Sequence, residues 1–313
     1  MNPKTILMII ILLLASGCPQ QSVDFSANAG AVVQDLSFDM PKVYTGDTAT
    51  LMFDVVNAGG KEIPVDGVKV YVYGPKISSS GGWGLKTSSP EATSAEGYIS
   101  ASVSSDALPP PNPSLGTPGG RQSFDLEFSP AVVNKGLEVP TEFHVSLCYP
   151  YATEVISQIE VVSKNELRAT KAAGSRKDSV NAGGPIHISV EVENNMVAGR
   201  KIPVILRVTD VGNGYPMLRE TSCNIDTGTE DRHKITLAVT VDGKTDIECK
   251  YDTGTGETSK GTVTLTRGKG ALFCVYDTPE ADAPRRTYMV RATAEYKYYT
   301  TSTVTITNVG SSL

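Results

Sequence analysis

The chain has 313 residues, with 28 Lys+Arg against 34 Asp+Glu and a formal charge of −6. A mildly acidic balance argues against nucleic acid, where phosphate contacts need clustered Lys/Arg, and equally against electrostatic docking on anionic lipid. The 29 Gly and 19 Pro, the abundant Thr, Ser and Val, and the lack of any helix-period segment longer than two turns predict an all-β protein.

Residues 1–20 read MNPKTILMIIILLLASGCPQ. One cation, Lys4, precedes an apolar run from Ile6 to Ala15. At roughly 1.5 Å per residue that run covers only about half a bilayer core. It is too short to span and the right size for the apolar region of a signal peptide. Small residues, Ala15-Ser16-Gly17, then lead to Cys18. This resembles the lipobox of prokaryotic lipoproteins, which implies cleavage before Cys18 and lipid on its thiol. Ala15 stands where that motif usually has Leu. An ordinary secretory signal with an incidental cysteine and an uncleaved anchor are the alternatives, and all three put the body outside the cytoplasm. The expectation is a leader over 1–17 and a lipidated Cys18 with a short flexible stalk over 18–30, where PQQSVDFSANAGA is polar and aperiodic.

The remainder repeats itself once. TGDTATLMFDVVNAGGKEIP (45–64) matches AGGPIHISVEVENNMVAGRKIP (182–203), with Asn57 on Asn194 and Pro64 on Pro203. Ala49, Leu51, Phe53 and Val55 match Ile186, Ile188, Val190 and Val192, and strict alternation in both copies means a half-buried strand. FHVSLCYPYAT (143–153) matches VRATAEYKYYT (290–300), pairing Tyr149 with Tyr296 and Tyr151 with Tyr298. A final strand is expected after each, at 156–162 and 303–307. Two long copies are not a solenoid. They predict two tandem β-sandwich domains, at 31–163 and 166–308. Residues 163–178, with Lys164, Arg168, Lys171, Arg176 and Lys177, read as a solvated linker running into a first strand, or as a basic contact patch.

The pattern V-x-x-G-D-x-x-x-L-x-F-x-V-x-N-x-G at 43–59 resembles the opening of CARDB, NEW3 and related Ig-like domains of prokaryotic surface proteins. CYPYAT at 148–153 is similar to archaeal surface lipoproteins. The resemblance implies adhesion, spacing or assembly, and it transfers no catalytic residues.

The first domain carries a long Pro/Gly/Ser-rich insert at 74–122, in which Pro109-Pro110-Pro111 favours a stiff polyproline segment. Trp83 sits there between Gly82 and Gly84. It reads either as a cover over an open sheet edge or the domain junction, or as an anchor for a partner. Of the five cysteines, Cys249 and Cys274 lie on strand-like runs in one domain and are the favoured disulfide. Cys148 points away from the apolar face of its strand. It and Cys223 read as free thiols, an interdomain bridge between them being the alternative. No CxxC or Cys/His spacing suggests a metal site. The acidic turns Asp226/Glu230/Asp231 and Asp252/Glu257 lack the regular spacing of a calcium loop.

No nucleophile elbow, zinc-protease, P-loop or dinucleotide motif is present. His144, His187 and His233 are scattered and read as solvated. The expectation is a non-enzymatic protein without cofactor, lipid-anchored on the outer face of the cell membrane. It would bind another surface protein by strand-edge addition or through the Trp83 loop. The rival is a carbohydrate- or solute-binding accessory module of an envelope complex. Its platform would have to be Tyr288, Tyr296, Tyr298 and Tyr299, which read better as strand core.

Overall fold

The computed structural model describes residues 28–78, 81–103, 106–192, 196–223, 229–252, 259–280 and 283–311. The leader, Cys18, Asn194, Asp226 and Glu257 lie outside the described residues. The chain folds as an all-β sandwich protein. In chain order the strands of the first half are β1 (Ala31–Phe38), β2 (Lys42–Tyr44), β3 (Ala49–Asn57), β4 (Lys69–Tyr73), β5 (Gly84–Ser89), β6 (Thr93–Ala95), β7 (Tyr98–Ser102), β8 (Arg121–Ser129) and β9 (Glu138–Val162). A short helix, α1 (Lys164–Thr170), follows. Then come β10 (Arg176–Asn181), β11 (Ile186–Val192), β12 (Lys201–Asp210), β13 (Gly214–Met217), β14 (Lys234–Val241), β15 (Ile247–Lys250), β16 (Lys260–Thr264), β17 (Lys269–Asp277) and β18 (Arg285–Val309).

Period-two hydrophobicity becomes buried faces as expected. Ala49, Leu51, Phe53 and Val55 of β3 are buried while Thr50, Met52 and Asp54 are only half-buried, and Phe124, Leu126 and Phe128 of β8 are buried opposite them. Ile186, Ile188 and Val190 of β11 repeat the pattern in the second half. Two four-stranded sheets, β1-β3-β8-β5 and β11-β12-β17-β15, pack on a ten-stranded sheet whose main path is β16-β14-β18-β9-β4-β7-β6.

The ten-stranded sheet is built on an unusual pair. β9 and β18 are 25 residues each and pair antiparallel without a register shift, from Val162↔Arg285 to Glu138↔Val309. At roughly 3.3 Å per residue this ribbon is about 80 Å long. One face of it is apolar over most of its length: Phe143, Val145, Leu147, Tyr149, Tyr151, Val155, Ile159 and Val161 of β9 are all buried, with Thr153 and Ser157 among them. One continuous core therefore contains residues of both halves. The strands expected at 156–162 and 303–307 are the second halves of β9 and β18. Each serves the other sandwich, so neither sandwich is assembled from one contiguous stretch of chain.

The sequence repeat acquires a geometric meaning here. Tyr149 matches Tyr296 in sequence but pairs with Tyr298, and Tyr151 pairs with Tyr296. The duplicated segments are thus related by a local pseudo-two-fold axis at the ribbon's midpoint. The four phenols meet there, with ring centroids 6.1 Å apart for Tyr149–Tyr298, Tyr149–Tyr151 and Tyr151–Tyr296, and 6.2 Å for Tyr296–Tyr298.

Residues 163–178, expected as linker and first strand, form α1 and β10. Ser163 caps the helix by accepting from Glu166 N–H at 3.1 Å. The S-K-N-E spelling is the spacing of a capping box. Lys171 closes the helix in the left-handed region at φ 54°.

Candidate functional site

The waist of the molecule is where the two halves, the start of the described chain and an open strand edge come together. Its framework is the tyrosine quartet, whose hydroxyls reach different parts of the chain. The Tyr149 hydroxyl lies against the backbone of Gly30 and Ala31, which opposes part of the effect of its burial. Tyr151 donates to Gly183 O at 2.8 Å and accepts from Lys61 N–H at 3.2 Å, tying a loop of each half to one side chain. Tyr296 is bonded to Thr153 Oγ1 at 2.7 Å. Tyr298 donates to Asp210 Oδ1 at 2.8 Å and accepts from Gly214 N–H at 3.0 Å.

Burial pushes Tyr149 and Tyr296 well above the usual phenol range. Tyr298 is raised by burial and by its bond to Asp210. Burial also raises Asp210, opposed by the bonds it accepts from Tyr298 and Gly212 N–H.

Glycine is required where the loops meet these rings. A Cβ on Gly30 or Gly184 would stand 2.6 Å from ring carbons of Tyr149 or Tyr151, and one on Gly212 would collide with the Tyr298 hydroxyl. Gly212→Ala is therefore expected to lose about 1–3 kcal/mol in urea unfolding, the usual cost of overpacking a fitted site. Gly84→Ala, whose added methyl has only Ser78 O at 3.9 Å, should lie within about 0.5 kcal/mol of the wild type.

The opposite face of the ribbon is covered by the connection from β12 to β14. β13 adds to β18 at residues 297–300, and Tyr215 stacks on Tyr299 at 5.2 Å. Cys148, Met217 and Tyr299 form a second small core there. Cys148 is bonded to Cys223, so the reading of these two as free thiols is corrected. Cys148 does point away from the main core, but Cys223 arrives on the segment that crosses to that face. Tyr71 OH donates to Cys223 O, and Lys297 Nζ to Thr221 O at 2.6 Å, fixing the same segment. The second disulfide, Cys249–Cys274, joins neighbouring strands β15 and β17 as expected. Two disulfides are the chemistry of an oxidising, extracytoplasmic compartment. Among the described residues no helix is long and apolar enough to cross a membrane.

Beside the quartet lies a cleft of about 390 Å³, lined among others by Ala31, Val33, Tyr149, Gly212, Tyr298 and Thr301. It opens onto a gap in the ladder. The edge of β18 facing away from β9 is taken by β14 at residues 290–295, by β13 at 297–300 and by β2 at 307–309. Between them, among the described residues, Thr301 to Ile306 have no backbone partner on that edge. Thr307 N–H bonds Pro41 O and Val309 O accepts from Thr45 N–H. The alternation of a strand therefore aims the N–H and C=O of Thr301, Thr303 and Thr305 into the gap. β1 is likewise the edge of its own sheet, so both layers of the first sandwich are open along one seam.

The other sequence candidates do not join this site. Trp83 is 2% exposed and packs edge-on against Phe143 at 5.0 Å and Phe128 at 6.4 Å, which removes it as a partner contact. Its glycine neighbours permit a tight fold-back: Gly81 has φ 71°, and Gly82 lies against Lys76 O. Tyr288, Tyr296, Tyr298 and Tyr299 are all buried and offer no sugar platform. His144 stacks on Tyr73, His187 stands on β11, and His233 lies beside Tyr215, so the three share no site. Among the described residues no group of three His, Cys, Asp or Glu could hold a metal ion.

No family model and no curated protein matches the chain. Solved structures similar to it include the envelope protein VP37 of White Spot Syndrome Virus, at 9% identity and TM-score 0.19, covering 47% of this chain and 97% of that one. The secreted serine protease VesC of Vibrio cholerae is similar at 10% identity and TM-score 0.19, covering 85% and 50%. The Enterococcus faecalis MSCRAMM ACE is similar at 8% identity and TM-score 0.18, covering 89% and 95%. At these scores the likenesses carry no argument about function.

Proposed function

We propose that this chain is a lipid-anchored surface protein, tethered through Cys18 to the outer face of the cell membrane, with a structural and protein-binding role. Its stiff fused sandwiches hold out a strand edge to which an extended segment of another protein adds. The carrying observation is the unpartnered stretch Thr301 to Ile306 beside the waist cleft. Main-chain donors and acceptors in such a gap supply affinity, and pockets for alternate side chains supply selectivity. With Trp83 in the core, the edge is the remaining one of the two binding routes expected from the sequence.

The test is Thr303→Pro. The Thr303 N–H faces the gap rather than β9, so proline removes the donor without breaking the central ladder. Eight-residue peptides selected on the purified protein from a displayed library should lose at least about tenfold in affinity on this substitution, roughly the worth of one lost hydrogen bond with its steric block. They should also slow amide exchange at Thr301, Thr303 and Thr305. Selected peptides that bind the proline variant equally well would sink the reading. Separately, Cys18→Ser should move the protein from the membrane fraction to the medium.

A further inference from the structure

Nine large apolar side chains are exposed among the described residues, and four of them sit at one end of the molecule: Tyr44 (49%), Val132 (77%), Leu137 (52%) and Val139 (42%). Tyr44 pairs with Val309, and Val309 with Glu138 next to Val139. The loop bearing Val132 and Leu137 is fastened around the end of β18. Asn308 Nδ2 donates to Ala131 O at 2.7 Å and Gly310 N–H to Leu137 O at 2.9 Å. The patch is therefore a fixed apolar tip. The opposite end of the ribbon is a set of ion pairs: Arg285 with Glu160 at 2.9 Å and Glu166 at 3.4 Å, Arg286 with Asp242 at 3.8 Å, and Lys164 with Glu280 at 3.2 Å.

The tether distinguishes the two ends. Asn28 lies in the waist cleft beside Tyr149 and Tyr298. Cys18 is ten residues upstream of it, and ten residues in any conformation reach at most about 36 Å. Along β9 the tip at Val139 is ten residues from Tyr149, about 33 Å, whereas Val162 at the charged end is thirteen residues away, about 43 Å. A chain held at Cys18 can bring the apolar tip to the plane of its anchor, and cannot bring the charged end there.

We infer that the tip formed by Tyr44, Val132, Leu137 and Val139 seats on the outer leaflet, its occupant being the lipid surface itself. This rests on the membrane tether proposed above. The molecule then stands with its charged end outward and the Thr301–Ile306 edge between the bilayer and the waist. An apolar contact at the tip adds a second attachment to the lipid anchor and fixes which way the molecule stands. Lys42 is paired to Glu138 at 2.8 Å, and Lys135 is the one charged residue of the loop at 130–137, so on a neutral bilayer the contact depends on burial of apolar surface and salt leaves it unchanged.

The experiment does not need natural lipidation. Cys148, Cys223, Cys249 and Cys274 are all in disulfides, so in the chain from Cys18 onward only the Cys18 thiol is free to couple to a maleimide-headgroup lipid. In neutral phosphatidylcholine vesicles, with the emission of the buried Trp83 subtracted by means of the parent protein, Val132→Trp fluorescence should fall about twofold when the lipid is brominated near the headgroup, at low and high salt alike, while Phe273→Trp stays unquenched. Phe273 is an exposed side chain on the second sandwich. Equal quenching at both sites means the molecule lies flat, and no quenching at Val132→Trp means the tip faces solvent or a protein; either result overturns the inference. Failure of the lipid-anchor reading appears elsewhere, as an unmodified Cys18 in the mass of the native N-terminal peptide.

Discussion

Above about pH 10 the protein should lose stability steeply, at roughly 2.7 kcal/mol per pH unit from two side chains alone. Burial holds Tyr149 and Tyr296 neutral far above the usual phenol range in the folded protein. In the unfolded chain both ionise near about pH 10. The folded state then binds more protons than the unfolded one, so stability is complete below the unfolded value and is lost as pH rises beyond it. Each group contributes a limiting slope of about 1.4 kcal/mol per pH unit, set by the one proton that the folded state keeps and the unfolded chain has lost. Urea unfolding at a series of alkaline pH values gives the slope, and phenolate absorbance shows whether the buried rings ionise only on unfolding. Tyr149→Phe with Tyr296→Phe should flatten the dependence. A phenolate signal from both rings in the still-folded protein would remove the basis of this expectation.

Replacing Cys148 and Cys223 together by alanine should cost about 4.5 kcal/mol, against about 3.5 kcal/mol for Cys249 with Cys274. The difference follows from the loops closed in the unfolded chain, with separations of 75 and 25 residues. The first pair also holds the β12–β14 connection over Met217 and Tyr299, so its loss adds the wetting of that small core. Denaturant midpoints of the two double variants decide the order. A smaller loss for the Cys148/Cys223 pair would mean that the hydrogen bonds of Tyr71 and Lys297 hold the segment without it.

Local alternation made the strands legible: Ala49, Leu51, Phe53 and Val55, and Ile186, Ile188 and Val190, face the core as their spacing requires. Cys249 and Cys274 were legible for the same reason, since each lies on a short run of strand character. The waist was not. Similarity between residues 143–153 and 290–300 reveals duplication, but only tertiary structure shows that the copies pair with each other and bring four tyrosines together. Trp83 shows where composition stops: its flanking glycines allow both a fold-back cover and an exposed anchor, and only the packing against Phe128 and Phe143 shows that the backbone approaches closely enough to bury it. The bond between Cys148 and Cys223 escaped because its second cysteine sits on a connection that changes faces of the sheet, which strand periodicity does not record. The open edge of β18 was also invisible, because which backbone groups lack partners depends on where β13 and β2 stop.

The strand exchange between the halves has a consequence for biogenesis. Thr45 near the start of the chain bonds Val309 near its end, 264 residues later. The amino-terminal half therefore lacks its last strand until residues 301–309 have been made. Until then β9 presents a long unpaired border, a hazard for association between nascent chains. A nonsense mutation at Ser302 would strip the first-made half of its closing element and leave the last-made half nearly whole.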